Sequence, residues 1–193
     1  MLIKMRMLSK MLNLLIIFIL VISPKIDGKS KIQLYINEIK TCPGFSKAPI
    51  QLKSVKIIND AHKNFLVSYR VDVTRNISED ANLRLSLERC ASKEAPDTCT
   101  KFTSLYTKNA CKLCNAANTF FAPFVSCLKP PLNCPIIKRT FRGENCTFNM
   151  DLFRMFPITG FHWKFKFELF HSITNECIFC CQGEAGIYNL YIN

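Results

Sequence analysis

The sequence predicts a mainly β protein: a two-sheet antiparallel β-sandwich or β-cup with one amphipathic helix, braced by disulfides. Three observations predict it. Apolar and polar residues alternate in several short runs, the mark of strands with one buried face. A single stretch changes to helical spacing. All 11 cysteines follow a segment that reads as a secretory leader, and in a secreted chain they form a disulfide framework.

In the leader, Lys4, Arg6 and Lys10 precede an apolar run from Met11 to Ile22, with Ser23, Pro24 and Gly28 after it. Basic start, short apolar centre and small residues describe a signal peptide. The run is shorter than the roughly 20 residues of a membrane span. The expected organisation is a signal peptide over residues 1–28, cut near Gly28, and a single β-rich domain over residues 29–193. The protein is then secreted and extracellular. Two sequons fit that compartment, at Asn76 and Asn145, and predict a glycoprotein. The second spans Cys146, so a disulfide there competes with the glycan.

The strands follow in order. Ile32, Leu34 and Ile36 alternate with polar residues, and Thr41 to Pro49 is turn chemistry around Pro43-Gly44. Val55 and Ile57 mark a second strand. Phe65, Val67, Tyr69, Val71 and Val73 mark a third, and Leu83, Leu85 and Leu87 a fourth. The polar loop between the last two makes them expected antiparallel neighbours. Ala110, Leu113, Ala117, Phe120, Phe121, Phe124 and Leu128 are then three and four apart, which predicts an amphipathic helix kinked or ended by Pro123. Leu128 to Pro135 stops it. Extended segments return with Cys146 to Phe156, then "FPITG" (Phe156 to Gly160) as a turn into Gly160 to Phe170, then a turn at Thr174 to Glu176 into a last strand from Cys177. About seven or eight strands and one helix suggest a sandwich.

The framework cysteines are Cys42, Cys90, Cys99, Cys111, Cys114, Cys127, Cys134, Cys146, Cys177, Cys180 and Cys181. Their pairing is open, and the odd number leaves at least one free or bonded to another molecule. Two Cys-x-x-Cys pairs, at Cys111–Cys114 and Cys177–Cys180, invite a zinc reading. The oxidising compartment and the strand-like "CIFCC" argue against it, so neither metal nor cofactor is expected. His62, His162 and His171 are scattered, with His162 on the polar side of its strand and read as a surface residue. Asp151 and Glu168 read as surface acids. No nucleophile elbow, metalloprotease helix or phosphate loop occurs, so no enzyme is expected.

Net charge is +12. Residues 1–28 hold Lys4, Arg6, Lys10, Lys25 and Asp27, and without them the charge is +9. A basic balance favours anionic partners such as a membrane surface, and a solvated basic surface is the plainer reading. The Lys and Arg residues are spread over strands rather than clustered, so nucleic acid is not an expected partner.

In Gly160–Phe170, Phe161, Trp163, Phe165, Phe167 and Leu169 share one face, and His162, Lys164, Lys166 and Glu168 the other. Such a face either fills a core or lines a cup for an apolar ligand. An empty cup of about 500 Å³ would cost roughly 12 kcal/mol. A cup therefore needs bracing and an occupant. Disulfides supply bracing at about 2–4 kcal/mol each, and a lipid chain supplies burial at about 0.8 kcal/mol per CH₂.

"TCPGFSKAPIQLKSVKI", "LRLSLERCASKEAPDTC", "NCPIIKRTF" and "MDLFRMFPITGFHWKFKFELF", in that order, resemble the insect chemosensory CheA/CheB-type secreted proteins, ganglioside-activator-like members of the ML lipid-recognition class. The resemblance runs from about Ile32 to the end. It implies a β-cup that binds a lipid or lipid-like pheromone outside the cell. Arg139-Thr140 stands where family members often carry a glycine after Cys-Pro. On this reading Phe161, Trp163, Phe165 and Phe167 line one wall, and Phe65, Val67, Tyr69, Leu83 and Leu85 another. Phe120, Phe121 and Phe124 border the mouth, and Lys164 and Lys166 face outward toward anionic headgroups. The expected function is to carry or present an apolar small molecule or lipid. The alternative is an extracellular module with a filled core that binds a receptor or channel.

Overall fold

Nine strands form among the described residues, where the sequence suggests seven or eight: β1 (Lys29–Thr41), β2 (Ile50–Asn59), β3 (Phe65–Val73), β4 (Ala81–Cys90), β5 (Thr100–Thr107), β6 (Leu128–Lys129), β7 (Thr140–Cys146), β8 (Phe161–His171) and β9 (Cys177–Ile192). The computed structural model describes residues 29–59, 65–77, 81–114, 119, 122–148, 150 and 158–192. Lys31–Leu190 form one compact unit, and the site lies within it. The expected signal peptide, most of the extended segment expected over Cys146 to Phe156, and His62, Ala117, Phe120, Phe121 and Asp151 lie outside the described residues.

The strands form two sheets. One has five strands in the order β1-β9-β8-β4-β5, the other four in the order β2-β3-β7-β6. The pairs β2–β3, β3–β7, β4–β5, β4–β8, β6–β7 and β8–β9 are antiparallel. One apolar cluster draws on both sheets: Leu34, Ile36, Leu83, Ile178 and Ala185 from the larger, and Ile50, Val67, Tyr69, Val73, Leu128 and Phe141 from the smaller. A shared core between two sheets is the sandwich arrangement the alternation predicts.

Turn chemistry falls where the sequence places it. Gly44 has φ 81° and Gly160 φ 82°, a left-handed conformation that glycine adopts without steric cost. Asn175, with φ 54°, turns β8 into β9 within the expected Thr174–Glu176 hairpin.

Strands β3 and β4 are not neighbours: β3 pairs with β2 and β7, while β4 pairs with β5 and β8. Alternation fixes which face of a strand is buried, not which strand lies beside it. In the connection, Ile77 is buried and bridges Ile136. It acts as an anchor between strands of different sheets.

Among the described residues, the expected single amphipathic helix appears as two five-residue helices, α1 (Ala110–Cys114) and α2 (Ala122–Ser126), with Thr119 between them outside a helix, and Leu128 begins β6. Pro123 opens α2 instead of ending a helix, because proline in a first turn has no helical N–H bond to lose.

Four disulfides join described cysteines: Cys42–Cys180, Cys90–Cys99, Cys111–Cys134 and Cys127–Cys146. Cys111–Cys134 ties α1 to the segment after β6, and Cys127–Cys146 ties the end of α2 to β7. Cys177 and Cys181 are free thiols. The side chain of Cys114 lies outside the described set. Four disulfides fit an extracellular or secreted protein. No described helix is long and apolar enough to cross a membrane.

Candidate ligand-binding face

Register aligns the inner face of the five-stranded sheet in rows across β5, β4, β8 and β9. Thr107, Leu83, Leu169 and Phe179 form the first row, and Leu105, Leu85, Phe167 and Cys181 the second. Thr103, Leu87, Phe165 and Gly183 form the third, and Thr100, Arg89, Trp163 and Ala185 the fourth. Directly opposed residues on one face are side-chain neighbours. Four strands thus present a nearly continuous apolar surface, interrupted by one cation.

Coverage of this surface is uneven. Leu83 and Ala185 belong to the shared core, with Phe167, Leu169, Phe179 and Ile187 packed against it. Leu85, Leu87 and Phe165 are half-buried and stand outside that cluster. Toward the edge, Leu105 is 57% exposed and Phe102 is 49% exposed. The five-stranded sheet therefore bares apolar side chains along its β4–β5 margin. A Cβ at Gly183 would overlap the Phe165 ring and the Glu38 carbonyl, so the missing side chain lets that ring lie flat across β9.

The expected lining residues divide into two groups. Val67, at 0% exposure, Tyr69 and Leu83 are core. Tyr69 stacks on Phe124 at 4.3 Å, and its hydroxyl donates to the Phe124 carbonyl at 2.8 Å. Phe124 in turn stacks on Phe148 at 4.6 Å. Burial raises the Tyr69 phenol far above its ordinary value, which keeps it a donor. Phe65 meets Tyr35 edge-on at 5.1 Å. The second group, Leu85, Phe161, Trp163, Phe165 and Phe167, lies side by side on the inner face. Trp163, at 5% exposure, donates its indole N–H to the Ile158 carbonyl at 2.9 Å. Trp163 also meets Phe102 at 5.0 Å and Phe161 at 6.3 Å, both edge-on.

The outer face of β8 carries the polar set. Glu168, expected as a surface acid, is instead buried at 7% exposure and pairs with Lys166 at 2.7 Å. His162, expected at the surface, is 4% exposed and lies 3.2 Å from the Glu184 carboxylate. Its cross-strand neighbours are Cys90 and Gly186. The Tyr188 ring lies where a Cβ on Gly186 would be, which explains the cover over a position that alternation alone marks as exposed. Phe170, which breaks the alternation, sits at a β-bulge under the Arg84 guanidinium, 4.9 Å away.

A separate open groove of about 370 Å³ is lined by Gln33, Tyr35, Asn37, Tyr188 and Asn189, and it shares no residue with the apolar face. Asn76 is exposed and its side-chain oxygen accepts from the Lys138 amide at 2.7 Å. Asn145 is exposed too, next to Cys146 in its disulfide.

Leu87, Leu105, Phe102 and Arg89 join the face without having been singled out as site residues. Strand β5, "TKFTSLYT", lacks clean alternation because a β-bulge in its pairing with β4 leaves Phe102 as the extra residue. Its threonines and aromatics were the usable sign, since such residues favour strands. No protein-family model matches the chain, and no curated protein matches it.

Proposed function

We propose that the protein is an extracellular carrier or presenter of an apolar ligand, a lipid or lipid-like pheromone, and has no catalytic role. The observation that supports this is the row Leu105–Leu85–Phe167 beside Thr103–Leu87–Phe165, an inward-turned apolar surface that is bared toward the β5 edge. A hydrocarbon chain laid on these rows gains about 0.8 kcal/mol per buried CH₂. In return it covers leucines that the smaller sheet leaves half-open. The basic surface suits delivery to or from an anionic membrane, and the resemblance to chemosensory proteins favours a role in contact detection of the ligand.

A second reading draws on the same margin. Phe102, Leu105 and Tyr106 are exposed on an edge strand, and such edges dock protein partners. One titration separates the two. Delipidated secreted protein is mixed with a fluorescent fatty-acid probe and challenged with unlabelled lipids. Saturable uptake and displacement are expected of a carrier. A flat titration with every lipid would sink the carrier reading and favour the docking module.

A further inference from the structure

Arg89 is the one cation in the apolar rows, and its surroundings differ from those of Arg70 and Arg75, which pair with carboxylates. It is half-buried on the inner face of β4, directly across from Trp163 on one side and Thr100 on the other. Its guanidinium lies 4.7 Å from the centre of the Phe161 ring and 5.9 Å from that of Phe102. Both rings meet Trp163 edge-on. Among the described residues no carboxylate bonds to it, in contrast to Lys40, Arg70, Arg75 and Lys166, each of which pairs with one. Arg84, five residues earlier on the outer face, has Glu168 directly across. Arg70 shares Asp72 in two hydrogen bonds.

The Phe161 and Phe102 rings, each braced edge-on by Trp163, hold Arg89 in place without using its N–H groups. Ring faces attract the cation but leave its planar fork free in its own plane. A guanidinium half-removed from water is well suited to a bidentate anion. It stands one row beyond Leu87 and Phe165, at the end of the apolar surface.

We infer that Arg89 anchors the anionic head of an amphiphilic ligand, and that Phe161, Phe102 and Trp163 orient it. The inference rests on the carrier reading and narrows it. The ligand is a chain with a carboxylate, phosphate or sulfate at one end, its hydrocarbon on Leu87, Phe165, Leu85 and Leu105. A neutral hydrocarbon, alcohol or ester of the same length lacks the group that Arg89 would bind.

Trp163 is the sole tryptophan, and it lies directly across from Arg89, so its fluorescence reports occupancy without a label. Delipidated protein is titrated with palmitic acid, hexadecyl phosphate, hexadecyl sulfate and hexadecanol, followed by Trp163 emission. Wild-type protein should bind at least one anionic amphiphile about tenfold more tightly than the alcohol, the size of a charge-assisted hydrogen bond. R89Q should lose that preference while holding the alcohol as before, and R89K should recover part of it. Circular dichroism checks that both variants keep their strands. Equal affinity for all four amphiphiles in the wild type, or an undiminished preference in folded R89Q, overturns the assignment to Arg89 and leaves the apolar carrier standing. Failure of all four to bind overturns the carrier reading and this inference together. Inorganic phosphate and acetate at matched concentrations should not shift Trp163 emission. If they do so as strongly as the amphiphiles, the site takes free anions and the chain contributes nothing.

Discussion

Cys181 sits on the inner face of β9 across from Phe167, and burial pushes its thiol up to about 12. Cys177 is raised as well, chiefly by burial. The thiolate is the reactive form, so both should be protonated and slow to react at neutral pH. Iodoacetamide at pH 8 should leave Cys181 unmodified in folded protein and modify it fully in denaturant, as read by peptide mass mapping. Rapid native modification would mean that the inner face opens at β9. Asp72 illustrates the opposite direction. Hydrogen bonds from Arg70, and one from Thr140 at 2.8 Å, hold its carboxyl below the ordinary aspartate value. A depressed carboxyl stabilises the fold above its unfolded value of about 4, and the gain disappears as pH falls through the folded value. D72N should therefore be less stable than wild type from pH 5 to 7 in urea titrations, and the gap should narrow as pH falls below about 4. The effect should be small, because solvent screens an exposed pair.

At the level of elements, β4 carries the sharpest contrast in the molecule. Leu83 and Leu85 are two residues apart, on the same strand and the same face. Leu83 is buried in the core, whereas Leu85 is half-buried outside it. L83A should cost about 3 kcal/mol, the usual penalty for emptying a packed leucine site, measured from urea midpoints. L85S should cost less than half of that and weaken a bound lipid chain about tenfold. If L85S destabilises as much as L83A without changing lipid affinity, Leu85 is core and the apolar face is ordinary packing. The helices make a related point. Ala110 to Leu128 carries helical spacing, yet α1 and α2 are short pieces fixed at separate points by Cys111–Cys134 and Cys127–Cys146. Short helices gain little from intrinsic propensity, so such tethers and the Tyr69–Phe124–Phe148 stack hold α2 in position.

Across the whole molecule, the two sheets differ in width by one strand. Their shared core takes in β1, β2, β3, β6, β7 and β9 with the near part of β4. At the far side, β5 contributes threonines, Leu105 and Phe102 to a margin that remains open. A sandwich of this kind can be stable and still offer an apolar surface, because the cost of a cavity falls only on space that is enclosed and empty. An open margin avoids most of that cost and leaves a site for a chain to cover.

By itself the sequence determined most of the strands and which face of each turns inward. The period-two runs at Ile32–Ile36, Phe65–Val73, Leu83–Leu87 and Phe161–Leu169 all became strands, because alternation is a local consequence of the pleat. It also determined the turns at Gly44 and Gly160, and a cysteine content suited to bracing. The tertiary structure alone decided that β3 and β4 part into different sheets, which cysteines pair, and that His162 is covered. It also decided that Leu85, Phe165 and Arg89 end up in adjoining rows while Val67 and Tyr69 are sealed away. Those outcomes depend on contacts between residues far apart in the chain, such as Cys42 with Cys180 or Arg89 with Phe161. No local pattern encodes which distant strand will arrive beside a given face.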